Sequence, residues 1–376
     1  MRTKAMNKTI ATGLLSLVMM PGVWAQSPYR FTNERLHAAT EAKNQCNTGT
    51  CWSYATTSFL ESEIQRLGKG THELSEMYNV RMTYPHKAET YLRFQGKNQF
   101  GPGALSHDVL RIAALHGLMP EEAYSGLNYG TDLHDHSQMD AMLEGILSKL
   151  VGMHGKLNPA WKKAIDGVLD AYLGAVPESF LYQGKKHTPA SFRDAMGIVT
   201  DNYVSLSSFT HHPLYKPFVL EVPDNYMHGL FYNVTIDDMV SIVEHALEKG
   251  FTVAWDGDVS ESGFSFKDGL AICLPEKTPR EERFSKIHPE PAVTAEMRQD
   301  QYESGATTDD HLMHIIGSAR DQNGNRFFII KNSWGQENPN QGNQYMSLAY
   351  FRLKTVALLL HRDGIPHAVK GKLGLK

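Results

Sequence analysis

Cysteine is scarce in this chain. There are three in 376 residues, at positions 46, 51 and 273. Three thiols do not make a disulfide framework, so a buried core must hold the fold. Positive charge is not concentrated anywhere. Lys and Arg number 37 against 41 Asp and Glu, a formal net charge of −4 with no basic block. Neither a nucleic-acid surface nor an anionic-membrane surface gains support from that pattern. Long apolar runs are missing too. The stretch Ile10 to Met20 falls short of the about 20 residues that span a bilayer, so no membrane anchor is expected. No internal repeat or low-complexity tract occurs. What remains is ordinary globular composition, 41% hydrophobic and 21% charged. Its length allows two or three domains, or one large enzyme.

The first residues have a recognisable pattern. Arg2, Lys4 and Lys8 precede the apolar run, and Val23 and Ala25 supply small residues after it. This predicts a secretory signal peptide over 1–25, cut after Ala25, and an exported protein, periplasmic or secreted. No cysteine stands at the cut, so lipid attachment there is not expected.

The stretch Gln45 to Ile64 organises the rest. A polar, glycine-bearing loop runs into Cys51, and Trp52, Ala55 and Phe59 then recur at helical spacing. Thr50 is the expected N-cap, its hydroxyl accepting from a first-turn amide. Cys51 then sits at a helix N-terminus, where the positive end of the dipole favours a thiolate. Gln45 is near enough to aim its amide at the same point. Alone, Cys51 reads as a small buried hydrophobe. The far end of the chain adds weight, with Asp310-His311-Leu312-Met313-His314 and then Asn332-Ser333-Trp334-Gly335. Cysteine, histidine and asparagine are the parts of a Cys-His-Asn nucleophilic site.

Gln45…Cys51-Trp52, Asp310-His311 and Asn332-Ser333-Trp334-Gly335 resemble the active-site segments of papain-like cysteine peptidases. The branch most similar is that of bleomycin hydrolase and aminopeptidase C, because cysteine and histidine lie 260 positions apart. Asn202 to Leu206, His212 to Lys216 and Gly250 to Val259 are also similar to that branch. The resemblance implies an α+β, papain-like two-lobed fold within one peptidase domain over 26–376. A helical lobe would span about 45–130, a helical insertion 131–200, and an antiparallel, β-barrel-like lobe 201–370. It implies Cys51 as nucleophile, His311 as acid and base, Asn332 as its orienting partner, and Gln45 as oxyanion donor. Gly103, Ala104, Asp310 and Trp334 would line the substrate site, with Trp334 shielding the His–Asn bond. Peptides are the implied substrates, with no cofactor, and a homo-hexamer is the implied assembly.

His314 rivals His311, but on a strand residues three apart face opposite ways. Ile365 to Val369 resembles the start of the arm with which that branch blocks its cleft and restricts cleavage to free N-termini. The tail beyond is shorter here, with Gly371 to Lys376 left to reach the cleft. Aminopeptidase is the favoured reading. A papain-like endopeptidase, or an acyl-transfer or peptide-binding relative, is the alternative.

Elsewhere, Met139 to Leu150 and Ala160 to Leu173 are amphipathic. A helix is expected over Ile236 to Lys249. Strands are expected at Phe218 to Val222, Phe251 to Trp255, Phe327 to Lys331 and Gln344 to Tyr350. Residues 275–309 read as a surface loop. His134, His136, His211 and His212 match no closed zinc pattern and read as surface histidines, so no metal is expected. Cys273 reads as a core thiol, and a Cys46–Cys51 bond would block the nucleophile.

Overall fold

The computed structural model describes residues 27–153 and 155–375; the expected signal peptide lies outside them. In chain order the elements are β1 (Phe31–Leu36), α1 (Cys51–Arg66), α2 (Glu76–Arg93), α3 (Ser106–His116), α4 (Ser137–Val151), α5 (Ala160–Leu173), β2 (Phe180–Tyr182), β3 (Lys185–His187), α6 (Pro189–Met196), β4 (Tyr203–Ser207), β5 (Pro217–Val219), β6 (Leu230–Asn233), α7 (Ile236–Glu248), β7 (Val253–Gly257), β8 (Phe264–Ser265), β9 (Leu270–Ala271), α8 (Ala295–Glu303), β10 (His311–Asp321), β11 (Arg326–Lys331), β12 (Asn343–Ser347), α9 (Leu348–Lys354), β13 (Thr355–His361) and α10 (His367–Leu373). The fold is mixed α+β. No helix among the described residues is long and apolar enough to cross a membrane.

Helix α1 begins at Cys51, but not by the expected cap. The Thr50 carbonyl accepts from the amides of Ser53 and Tyr54, whereas its hydroxyl pairs with Thr48 Oγ1 at 2.6 Å. Every residue from Trp52 to Ile64 is buried, so this helix is enclosed all round rather than amphipathic. It lies on one face of a large sheet. Strand order there is β5-β6-β4-β13-β7-β10-β11-β12-β9-β8, with β1 paired to β10. Most pairs are antiparallel; β4–β6 and β12–β9 are parallel. The path has two ends and does not close on itself.

Alternation along the central strands separates two cores. Ala254, Leu312 and Leu359 join the core of α1, α2 and α3, together with Met139, Leu143, Leu147, Ile165, Leu169 and Leu173 of α4 and α5. Val253, Trp255, Met313, Ile315, Leu358 and Leu360 face the other way and pack with α7 and α10.

Four readings are corrected. Residues 275–309 are not all loop. Thr294 caps α8, and Arg298 of that helix is buried against Phe209, its guanidinium donating to the Ser208 and Arg352 carbonyls. The strand expected to Tyr350 stops at Ser347, whose hydroxyl accepts from Tyr350 N and starts α9. The strand expected over Phe218 to Val222 covers only Pro217–Val219, because Leu220 and Val222 leave the sheet for the helical core. His134 and His136 are buried, not superficial.

Candidate active site

Cys51 opens α1 on the face covered by the helical core. Its sulfur lies against the backbone amide of Leu312, the residue after His311. That amide favours a thiolate, but burial is the larger effect and pushes the thiol up to about 12, helped by the nearby carboxyls of Asp309, Asp224 and Asp256. Burial thus opposes the dipole-stabilised thiolate expected from sequence. Burial also drives the His311 imidazole down to about 4, with the Asn332 bond and Asp310 opposing. Burial therefore favours the uncharged form of both groups. All three cysteines are free, and Cys273 is a core thiol as expected.

His311 begins β10, opposite Gly257. Its Nε2 meets Asn332 Oδ1 at 2.8 Å. The asparagine amide cannot be turned round. Its Oδ1 accepts from the Ser333 backbone N–H at 2.7 Å, and its Nδ2 donates to Gln344 Oε1 at 2.7 Å. A backbone N–H has no choice but to donate, so the oxygen must face it. Nε2 of His311 is then the protonated nitrogen, and Nδ1 keeps its lone pair. Trp334 lies against the imidazole, ring centres 4.7 Å apart at 31°, and is itself flanked by Phe264 and Phe266.

Gln45 is buried and stitched to the asparagine segment. Its Oε1 accepts from Ser333 Oγ at 2.6 Å, and its backbone N–H donates to Ser333 O. One amide hydrogen goes to Thr48 O at 2.8 Å. Gly103 belongs to a turn beside Cys51, held there by the Trp52 indole N–H donating to Pro102 O at 2.9 Å. A Cβ on Gly103 would lie 1.8 Å from Asp224 Oδ2, so a carboxylate covers it. Ala104 is buried. Asp310 turns away to tie a loop, accepting from Thr308 Oγ1 at 2.6 Å and Ser260 N at 3.2 Å. The structure brings Gln45, His311, Asn332 and Trp334 together, with Cys51 against the Leu312 amide; sequence reading gave no role to Gln344, Ser333, Asp224, Asp256 or Asp309. Asp309 was next to a quoted motif; Gln344 had no signal.

His314 points at α1, its Nδ1 2.9 Å from Ser58 Oγ. Ser58 is seven residues along the helix from Cys51, about 10 Å at 1.5 Å per residue. This histidine cannot serve the thiol. One group of metal-like spacing occurs among the described residues, His211, His212 and Glu221. Gln299 decides its character. Its Oε1 accepts from Thr210 N, so its Nε2 must donate to His211 Nδ1 at 2.8 Å. The His211 proton then lies on Nε2, facing Glu221 at 3.4 Å, which makes this a hydrogen-bonded cluster and not a ready ligand set.

Residues 178–374 match the model of the Peptidase C1-like family. The matched range contains His311 and Asn332 and leaves out Cys51 and Gln45. The chain is 22% identical over 366 residues to Aminopeptidase G of Lactobacillus delbrueckii subsp. lactis, covering 85% of this chain and 80% of that one. Its fold is similar to the crystal structure of PepW from Lactobacillus rhamnosis HN001 (DR20). The TM-score is 0.71 at 18% identity, over 91% of this chain and 84% of the other.

Proposed function

The chain belongs to the Peptidase C1-like family, and from that premise we propose that it is a cysteine aminopeptidase acting on peptides. The observation that carries this reading is the His311–Asn332 bond with its amide fixed on both sides, which leaves Nδ1 free to take a proton. Cys51 gives its proton to Nδ1 and attacks the carbonyl carbon of the first peptide bond. The oxyanion accepts from the Cys51 backbone N–H and the remaining amide hydrogen of Gln45, each worth about 2.7–4 kcal/mol. His311 hands the proton to the leaving amine. Water, deprotonated by the same nitrogen, then cleaves the thioester and frees the amino acid. Trp334 keeps solvent from the His–Asn bond.

The aminopeptidase mode is supported by the name of the Lactobacillus delbrueckii relative and by the carboxylate lying over Gly103. A second reading, endopeptidase, draws on one observation. The tail expected to reach the cleft is the helix α10, whose Val369 and Leu373 pack on the α7 side of the sheet while Lys372 bonds Asp238 and Tyr215. Cys51 is on the other side. Paired coumarin substrates decide between the two, leucine amide with a free amine and the same compound N-acetylated, run beside Cys51→Ala. Turnover of the free amine alone is expected; turnover of both means endopeptidase, and activity in Cys51→Ala ends the thiol mechanism.

The reading extends to a papain-like two-lobed arrangement, supported by the two cores with Cys51 and His311 at their junction. It includes export after cleavage at Ala25, supported by the basic start and apolar run and tested by N-terminal sequencing of the mature protein. A homo-hexamer is tested by light scattering; a monomer refutes it.

A further inference from the structure

The charges of three carboxyls from separate parts of the chain act on the thiol: Asp224, Asp256 and Asp309. Asp256 is on β7, paired across the ladder with Leu312, on the face covered by α1. It is 3% exposed, and neither oxygen has a donor other than the Asp309 carboxyl that faces it. Asp309 faces it from the loop before β10, with one oxygen also buried and without a donor. Asp224 arrives from the segment between β5 and β6. Val222 and Tyr226 anchor that segment in the helical core, and Gln99 Nε2 donates to Asp224 Oδ1 at 2.7 Å.

A buried carboxyl pair without donors is costly unless something cationic visits it. Burial pushes both carboxyls up, Asp309 to about 7 with the charges of Asp224 and Asp310 adding to it, and the hydrogen bond between Asp256 and Asp309 lets the pair share a proton. Lys87 does not fill the role. Lys87 Nζ donates to the carbonyls of Gly101 and Gly103, and its charge acts on Asp224.

We propose that Asp256 and Asp309, with Asp224 at the rim over Gly103, form the subsite that binds the α-ammonium of the substrate. This rests on the aminopeptidase reading. In an amino-terminal residue the α-nitrogen is two bonds from the carbonyl carbon, about 2.5 Å. A nitrogen so close to the attacked carbon must lie beside the sulfur, where these carboxyls act. An ammonium brings three donors for the unfilled oxygens. With α10 packed on the far side of the sheet, this subsite supplies a restriction to free N-termini from within the cleft.

The test uses leucine 7-amido-4-methylcoumarin and its desamino analogue, 4-methylpentanoyl-amidomethylcoumarin, which has the same shape without the amine. The wild type should prefer the amine by about 10³-fold or more in kcat/KM. Asp256→Asn and Asp309→Asn should shrink that preference, read as the ratio of kcat/KM for the two compounds, by about 10–100-fold. Equal turnover of both compounds by the wild type, or an unchanged preference in both variants, overturns the proposal. A binding measurement separates this from the peptidase reading. Calorimetry on Cys51→Ala compares leucinamide with 4-methylpentanamide, and needs no turnover. Tighter leucinamide binding that disappears on adding Asp256→Asn supports the subsite; equal affinities refute it. Absent turnover, or turnover that survives Cys51→Ala, refutes the peptidase reading instead.

Discussion

Gln344→Met asks whether a residue that touches neither thiol nor substrate sets the rate. Gln344 is fully buried, and its Oε1 is the acceptor for Asn332 Nδ2 at 2.7 Å. Methionine keeps length and volume and removes that acceptor. A buried N–H is then orphaned, at about 1–3 kcal/mol of stability, which lowers Tm by a few degrees in a chain of this size. The catalytic effect is smaller than the loss of Asn332 itself, because the Ser333 N–H still holds Oδ1 at 2.7 Å. With one of two restraints gone, a loss of about 1–2 kcal/mol in transition-state stabilisation is expected, or about 5–30-fold in kcat. KM should stay put, since the interaction lost is made away from the substrate. Steady-state kinetics on a free-amine coumarin peptide and a thermal melt give both numbers. Wild-type kcat in a destabilised Gln344→Met would refute the orienting chain; a rise in KM at constant kcat would move Gln344 into substrate binding.

His311→Ala should cost about 10³-fold or more in kcat, while His314→Ala should keep turnover and lose about 2–4 kcal/mol on denaturation, as a cavity opens beneath α1. Iodoacetamide should alkylate Cys51 of the free enzyme at a rate that climbs with pH up to the limit of its stability, because burial holds the thiol near 12. A plateau between pH 5 and 8 would instead indicate a thiolate–imidazolium pair. His311 and His136 are both lowered to about 4 from an ordinary 6.5, each chiefly by burial. Between those values the unfolded chain binds the extra protons, so stability falls as pH drops from about 6.5 to 4, by up to about 3 kcal/mol per histidine. His136→Gln should flatten that fall in a series of melts; an unchanged slope refutes the assignment. Gly103→Ala should displace Asp224 and raise KM for free-amine substrates, since the new Cβ would lie 1.8 Å from Oδ2; unchanged kinetics would show the carboxylate is not needed there.

Short-range signals survived the journey from sequence to structure. The start of α1, the amphipathic α4 and α5, and the opposite facing of His311 and His314 all follow from local periodicity. What failed depends on remote partners. His136 is polar and lies in a polar stretch, yet it is fully buried, its backbone N–H donating to the remote Asn47 carbonyl. Arg298 sits in a Pro- and charge-rich segment, and only Phe209 and two carbonyls explain its burial. Gln344 is one glutamine among many until Asn332 is placed beside it. Asp256 follows an apolar run and would pass for the polar end of a strand. Its meaning comes from Asp309, brought opposite by β10. For the thiol, helix position was legible, whereas the opposing effect of burial and of remote carboxyls was not.

The stitching of Gln45 to Ser333 has a consequence for how the enzyme comes into being. Gln45 and Ser333 lie 288 positions apart, and Phe31 of β1 pairs with Asp321 across a similar span. Contacts this distant close late and slow the search for the native state. On a ribosome adding about 5–20 residues per second, the cysteine loop emerges tens of seconds before the strand that orders it. During that interval the thiol has neither its imidazole nor its asparagine, so the growing chain is inert. Hydrolytic power arrives only with the last part of the polypeptide, which spares the nascent protein and its neighbours from a half-built peptidase.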